Sequence, residues 1–215
     1  MRISRIILFL FMCITFSGFA QMKIKGNEGG ILSLGVRSTA STFSDAGANG
    51  TGFGGQFRLR IGKRLNTEWF ADYINNDIRG IAKRTDAHIG WSVMFYPFNA
   101  PVEKGKFVPF LLGGHCFDYT RLKENDKPLQ GLTGSSVERW SSAVQAGLGV
   151  HYLVSDRIDL TLSTQYMSHL GNDIHADVHK HGDVNEIHFS HNHGGSLEGH
   201  LLFTLSVNFN LVDLW

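Results

Sequence analysis

The segment GHLLFTLSVNFNLVDLW, residues 199–215, alternates apolar and polar side chains with few breaks. One parity carries Leu201, Phe203, Leu205, Val207, Phe209 and Leu211. The other parity carries His200, Thr204, Ser206, Asn208 and Asn210, with Leu202 as the exception. Because successive side chains of a strand point to opposite faces, this pattern predicts a strand with one apolar and one polar face.

The same period of two recurs along the rest of the chain and predicts eight strands in all. The predicted strands lie near residues 30–38, 52–62, 67–76, 87–96, 107–120, 140–152, 158–166 and 200–211. Two of them are less clear. In the third strand, Phe70 and Ile74 share the parity of charged Glu68 and Asp72, and in the fifth strand both parities carry bulky side chains.

The N-terminal segment has the pattern of a secretory signal peptide at residues 1–20. Arg2 and Arg5 precede an apolar run at 6–16, and small residues stand before Gln21. The run is too short to cross a bilayer, although a short membrane anchor stays as the alternative. The predicted mature domain is therefore residues 21–215, with Cys116 as its one cysteine, which excludes an intramolecular disulfide.

The charge balance excludes one class of partner. The whole chain has a formal net charge of +1, and loss of the two arginines with the signal peptide changes this to −1. Proteins that bind nucleic acids need a basic field, so we expect no nucleic-acid partner.

The apolar parity of nearly every strand favours a membrane barrel over a soluble sandwich. A sandwich exposes a polar face to water, whereas a transmembrane barrel exposes an apolar face to lipid. Aromatic residues also stand beside the short connections, where interface girdles are expected: Trp69, Tyr96, Phe98, Phe107, Tyr152, Phe209 and Trp215. The predicted fold class is all-β, an eight-stranded antiparallel up-and-down transmembrane β-barrel, with a secreted sandwich or a closed soluble barrel as the alternatives.

The connections between the predicted strands sort into two groups. The shorter ones, at 62–67, 98–106 and 155–157, are expected to be periplasmic turns. The mostly longer ones, at 39–51, 76–84, 121–138 and 171–195, are expected to be extracellular loops.

Three segments carry a resemblance to a known family. FVPFLLGG at 107–114, GLGVHYLVSDRIDL at 147–160 and the terminal strand closing on Trp215 resemble the small eight-stranded OmpA/OmpX-type outer-membrane barrels. The resemblance implies a location in the bacterial outer membrane, with membrane lipid as a partner and the barrel-assembly machinery as a partner during biogenesis. The sequence identifies no extracellular partner.

Side chains are expected to fill the lumen of so small a barrel. The residues with inward parity are Arg37, Arg58, Arg60, Glu68, Asp72, His88, Gln145, His151, Asp159, Gln165, Glu198 and His200. Because both signs of charge are present and buried charges need partners, we predict an internal salt-bridge network and no wide aqueous pore.

Histidine is concentrated in one segment near the C-terminal end. Seven of the eleven histidines fall between residues 169 and 193, with acidic residues interspersed. Imidazole and carboxylate suit Zn²⁺, Cu²⁺ or Ni²⁺. The predicted metal ligands are His175, Asp177, His179, Glu186 and His188. No cofactor is certain, and a divalent transition metal such as zinc is the one that this segment implies.

A two-residue turn at 182–183 would define the register of this segment. Residues whose numbers sum to 365 would then be opposite, which pairs Val178 with Ile187 and His179 with Glu186. The same sum also matches apolar partners within the membrane, such as Leu162 with Phe203. It therefore predicts one long hairpin that continues from the last two membrane strands, unless glycines at 171 and 194–195 introduce bulges.

Three functions remain as hypotheses. The first is a structural or surface-interaction role for a small integral outer-membrane β-barrel protein that is not an open porin. The alternative is surface metal binding through the histidine-rich fourth extracellular loop. The third, a lipid-modifying enzyme, is disfavoured because adjacent Ser168 and His169 would point to opposite faces of their strand. The sequence therefore predicts no catalytic residues.

Overall fold

The computed structural model describes residues 29–42, 49–78, 82–98, 100–101, 103–124, 136–170, 173–181, 184–192 and 199–215. At residues 124, 173–181 and 184–192 the description covers the backbone alone. The predicted signal peptide at 1–20 and the lumen residue Glu198 lie outside these ranges.

Ten antiparallel strands occur in the described residues, and eight of them form a closed ring. The strands are β1 (Ile31–Thr42), β2 (Asn49–Gly62), β3 (Leu65–Ile78), β4 (Ala82–Phe95), β5 (Phe107–Glu124), β6 (Ser136–Leu153), β7 (Ile158–Leu170), β8 (Asp173–His181), β9 (Val184–Asn192) and β10 (Gly199–Asp213). The ring runs β1-β10-β7-β6-β5-β4-β3-β2, and β8 and β9 form a separate two-stranded sheet. The predicted eight-stranded up-and-down barrel is confirmed, with β10 as its last strand.

Alternation along each strand separates the lumen from the outer surface. In β10, even-numbered residues from His200 to Asn210 are buried, whereas Phe203, Leu205 and Phe209 are exposed. The two unclear strands follow the same rule. In β3, Phe70 and Ile74 face inward together with Glu68 and Asp72. In β5 the even parity faces inward, which buries Phe110, Leu112, Cys116 and Asp118.

An apolar layer inside the lumen explains the residues that break the polar inward pattern. It consists of Phe70, Ile74, Cys116, Ala143, Met167 and Leu202. Leu202, the exception in the last strand, is fully buried in this layer. The guanidinium of Arg37 lies 4.5 Å from the centre of the Phe70 ring, so Phe70 also stabilises the charge of Arg37 through a cation–π contact.

The outer wall carries an apolar band with aromatic residues at its rim. Exposed hydrophobic side chains occur on all eight strands of the ring, and Trp69, Phe98, Phe107, Tyr152, Phe209 and Trp215 are exposed as the girdle prediction requires. The prediction is wrong for Tyr96, whose side chain is buried and bonded to Asn66 and His151. Tyr96 directly follows β4 and keeps its inward parity, so it lines the lumen.

Short connections and both described ends of the ring lie at the same end of the barrel. The turn 63–64 and the connections 96–106 and 154–157 join strands there, and Gly30 and Leu214 are hydrogen-bonded at 2.9 Å. By the rule for outer-membrane barrels this end is periplasmic, and the opposite end is extracellular. In the described part of the chain, no helix is long and apolar enough to cross a membrane.

The hairpin β8–β9 has the predicted register, but the register in the membrane is different. Val178 is opposite Ile187 and His179 is opposite Glu186, as predicted. In the barrel, Leu162 is opposite Leu205 and not Phe203, a shift of two positions. The prediction of one continuous register is therefore wrong. The last β7–β10 pair is Ser168 with Gly199, and the first β8–β9 pair is position 173 with Asn192. Four residues lie between these pairs on one side and six on the other, so the pairing sums of the two ladders differ by two.

A charge on the lipid-facing wall should destabilise the barrel in proportion to its depth. Leu205 is exposed near the middle of β10, and we expect Leu205→Arg to lower the free energy of unfolding by about 2–4 kcal/mol. Ile61, equally apolar but beside the turn 63–64, is the control: Ile61→Arg should cost about 0–1 kcal/mol. Guanidinium titration of protein folded in lipid vesicles measures both, and equal costs would contradict a membrane-spanning wall.

Candidate functional site

Ion pairs fill the middle of the lumen. Arg37 on β1 lies 3.3 Å from the Glu68 carboxylate and 3.0 Å from the Asp72 carboxylate, both on β3. The three side chains are at most 7% exposed, so water cannot replace these partners. One guanidinium between two carboxylates leaves an excess of negative charge, and Thr39 moderates it by donating to Asp72.

A second charged group lies below this one, towards the periplasmic end. Arg58 pairs with Asp159, and it also donates to Nδ1 of His151 at 3.0 Å. A guanidinium can only donate, so Nδ1 of His151 must be an unprotonated acceptor. Nε2 of His151 therefore carries the proton and donates to the hydroxyl of Tyr96 at 3.2 Å. The predicted salt-bridge network is present in the lumen.

Apolar side chains close the periplasmic end of the lumen. The buried cluster consists of Met94, Tyr96, Ala100, Val108, Phe110, Leu112 and Leu153. The connection 96–106 turns inward at Ala100, whose carbonyl oxygen accepts from Arg60 at 2.7 Å. A cavity of about 40 Å³ remains beside Arg60, which has room for only a few water molecules. The described side chains therefore narrow the lumen at this end.

Towards the extracellular end, the side chain of Asp118 on β5 is the centre of a third polar group. Its carboxylate lies 3.1 Å from Nδ1 of His169 and 3.2 Å from Nε2 of His88. Arg139 lies 3.3 Å from the carboxylate, and the hydroxyls of Thr120 and Ser141 donate to it at 3.4 Å. Asp118 is fully buried, so these partners take the place of its hydration shell.

The three histidines of this group are linked by one chain of contacts. Nε2 of His169 lies 2.9 Å from Nε2 of His200, and the rings of His200 and His88 are stacked with centres 5.9 Å apart. If Nδ1 of neutral His169 donates to Asp118, its Nε2 must accept, and His200 must then donate. In that arrangement, Asp118 would determine the tautomers of both His169 and His200. We name Asp118, His88, His169 and His200 the histidine–aspartate cluster.

The described contacts of this cluster are the approaches of His88 and His169 to Asp118 and the hydrogen bond between His169 and His200. Among the described residues, no three histidine, cysteine or acidic side chains are placed to hold a metal ion. His169 and His88 use ring nitrogens on Asp118, and Arg139 contributes a positive charge next to the carboxylate. A cation would have to displace these contacts.

The predicted metal ligands are placed by the backbone alone. The register of the hairpin puts Asp177 opposite His188 and His179 opposite Glu186, while position 175 is opposite Ser190. Their side chains lie outside the described residues, so metal binding by this set stays a prediction. Position 173 is opposite Asn192, which keeps the pairing regular along the whole hairpin.

The sequence pattern does not reveal Asp118, the residue at the centre of the extracellular group. It located His88 and His200 on the inward face, but it assigned no inward parity in the fifth strand and so passed over Asp118. It also grouped His169 with the histidine-rich loop, whereas His169 is buried on β7 in the lumen. The polar Asp118 and Thr120 at alternate positions were the signal that could have identified this face.

Serine, histidine and aspartate side chains meet in the lumen, but not in a catalytic order. Ser141 and Asp118 both approach the same ring nitrogen of His169, at 3.4 and 3.1 Å. A nucleophile and an orienting carboxylate must use opposite nitrogens of the ring. Ser168 and His169 are neighbours in β7, with His169 in the lumen, so these two do not form a nucleophile–base pair either.

Comparison with solved structures gives the same architecture. Neisserial surface protein A matches with a TM-score of 0.53 and 16% identity, covering 84% of this chain and 96% of that one. A major outer membrane protein from Thermus thermophilus matches with a TM-score of 0.55 and 12% identity, covering 83% of this chain and 98% of that one. No protein-family profile matches the sequence, and no curated protein matches it.

The fold and the apolar outer surface both indicate that the barrel lies in a membrane. The ring has the architecture of these outer-membrane barrels, and its apolar wall can be exposed only to lipid. The chain has the fold of the small outer-membrane β-barrels, as the sequence predicted.

Loss of the Asp118 carboxylate should destabilise the barrel strongly. Asp118→Ala removes the carboxylate that Arg139, His88 and His169 contact in a buried site, and we expect a loss of about 3–5 kcal/mol in the free energy of unfolding. Glu138→Ala is the control, because its pair with Arg121 is about half exposed and should be worth about 1 kcal/mol or less. Chemical denaturation in detergent measures both, and equal losses would mean that Asp118 does not organise the lumen.

Proposed function

We propose that this protein is a closed barrel that acts at the cell surface, with the β8–β9 hairpin as its interaction element. The hairpin supports this assignment because it forms its own sheet and contributes nothing to the hydrogen-bonded ring. A segment that the ring does not need for closure can present residues to a partner. The proposal assigns no catalytic step to the chain.

The filled lumen supports an interaction role over a transport role. Charged side chains occupy the lumen on both sides of an apolar layer, and apolar side chains close its periplasmic end. Solute passage would require buried ion pairs such as Arg58 with Asp159 to separate, at a cost of several kcal/mol each. On this proposal the protein is not an open porin.

An epitope inserted into the hairpin tests the surface assignment. A tag between Gly182 and Asp183 should bind antibody on intact cells, because the flanking strands β8 and β9 follow the extracellular end of β7. The same tag between Lys104 and Gly105, in the periplasmic connection, is the matched control and should need permeabilised cells. Labelling of the hairpin tag only after permeabilisation would overturn the proposal.

A shortened chain distinguishes an interaction element from a structural one. Replacement of residues 173–192 by a short glycine–serine linker should leave the heat-modifiable gel mobility and the unfolding midpoint of the barrel unchanged, because the ring does not include them. Loss of the folded band would show that the barrel needs the hairpin for its stability, and this result would contradict the proposed interaction role.

Surface metal binding is the second candidate function, and the register of the hairpin favours it. Asp177 opposite His188 and His179 opposite Glu186 are cross-strand pairs of metal-ligating residues, the arrangement that the sequence predicted. Three imidazoles would leave a fourth position for a carboxylate or for water, which suits Zn²⁺. Because imidazole binds metal only when it is unprotonated, affinity should fall below about pH 6.5.

Replacing three histidines tests this site. The triple variant His175→Ala, His179→Ala and His188→Ala should abolish Zn²⁺ binding in calorimetry of the refolded protein. The control is His115→Ala, on β5 of the ring and outside the proposed ligand set. A triple variant that binds Zn²⁺ as tightly as the wild type would exclude this set, and His191 and His193 would be the next residues to replace.

A further inference from the structure

A groove crosses the lipid-facing wall on the side formed by β10, β1, β2, β3 and β4. Its volume is about 1000 Å³, at the upper end of the range of about 300–1,000 Å³ for small-molecule sites. Gly55 and Ala71 are cross-strand partners that line the groove. The exposed side chains of Val36 and Ile89 stand on either side of them.

Gly55 leaves space that the fold itself does not require. A Cβ added at Gly52 or Gly54 would collide with backbone oxygens of β3, so those glycines permit a close approach of strands. A Cβ at Gly55 would meet only the Gly35 carbonyl oxygen, at 3.7 Å, which is ordinary contact. A side chain at position 55 would be tolerated by the barrel, and its absence creates the groove.

The groove has an apolar body and a cationic end. Phe57 and Trp69 form a stacked pair along it, with ring centres 4.8 Å apart and planes 9° apart. From there the lining continues past Leu34 and Phe209 to Arg157, in the periplasmic connection 154–157. Of the described residues that line the groove, Arg157 is the one that carries a charge.

We propose that this groove binds a phospholipid of the periplasmic leaflet. One acyl chain lies over Gly55 and Ala71, and the phosphate of the headgroup contacts the Arg157 guanidinium. An apolar trough with a cation at its membrane-interface end complements an amphiphile with an anionic head, and guanidinium binds phosphate through paired hydrogen bonds. The site is on the outer wall and is independent of the proposed surface role.

Native mass spectrometry of delipidated protein in detergent, titrated with dioleoylphosphatidylglycerol, tests the site. Gly55→Phe fills the groove and should weaken binding about tenfold. Gly113→Phe is the matched control: Gly113 lies on β5 outside the groove, and an added Cβ there meets only the Gln145 carbonyl oxygen, at 3.8 Å. This variant should bind as the wild type does, and heat-modifiable mobility should confirm that both variants fold.

The headgroup contact has its own control. Arg157→Gln should weaken binding of dioleoylphosphatidylglycerol about tenfold but leave binding of dioleoylglycerol, which lacks the phosphate, unchanged. Equal lipid binding by the wild type and Gly55→Phe would overturn the proposal. So would a dimer that Gly55→Phe abolishes while lipid binding is unchanged, because the occupant would then be a second copy of the chain.

Discussion

Pairing of the first and last strands of the ring is the interaction on which the rest of the structure depends. β1 and β10 pair from Ile31 with Asp213 to Thr42 with Leu201. The hydrocarbon core of a membrane has no water to satisfy free backbone groups, so an open edge there would cost several kcal/mol per group. Closure removes the free edges of both β1 and β10, because these two strands pair with each other.

Closure with eight strands also determines what the lumen can hold. The interior is only wide enough for side chains, so an inward charge must find its partner on another strand. Arg37 meets carboxylates of β3, Arg58 meets one of β7, and Asp118 meets histidines of β4 and β7. Among the described residues, the contacts that stabilise the barrel therefore also occupy its interior.

The fifth strand shows where sequence reasoning about the lumen ends. Both of its parities are bulky because an apolar inner layer and an apolar wall occur on the same strand: Cys116 faces inward and Phe117 outward. Alternation of polarity then disappears, and Asp118 is left without an assigned face. The prediction for His169 was wrong for a related reason. Because many histidines follow it in the sequence, it was grouped with the histidine-rich loop, although it belongs to β7 and faces the lumen.

The sequence by itself determined the number of strands in the ring, the inward and outward faces of most of them and the register of the β8–β9 hairpin, because period-two patterns and short turns are local properties of the chain. Only the tertiary structure decided the register of β7 against β10. A shift of two positions keeps every side chain on its face, so polarity cannot distinguish Leu205 from Phe203 as the partner of Leu162. It also decided that Arg58 meets Asp159, because residues so distant in sequence become neighbours only when the ring closes.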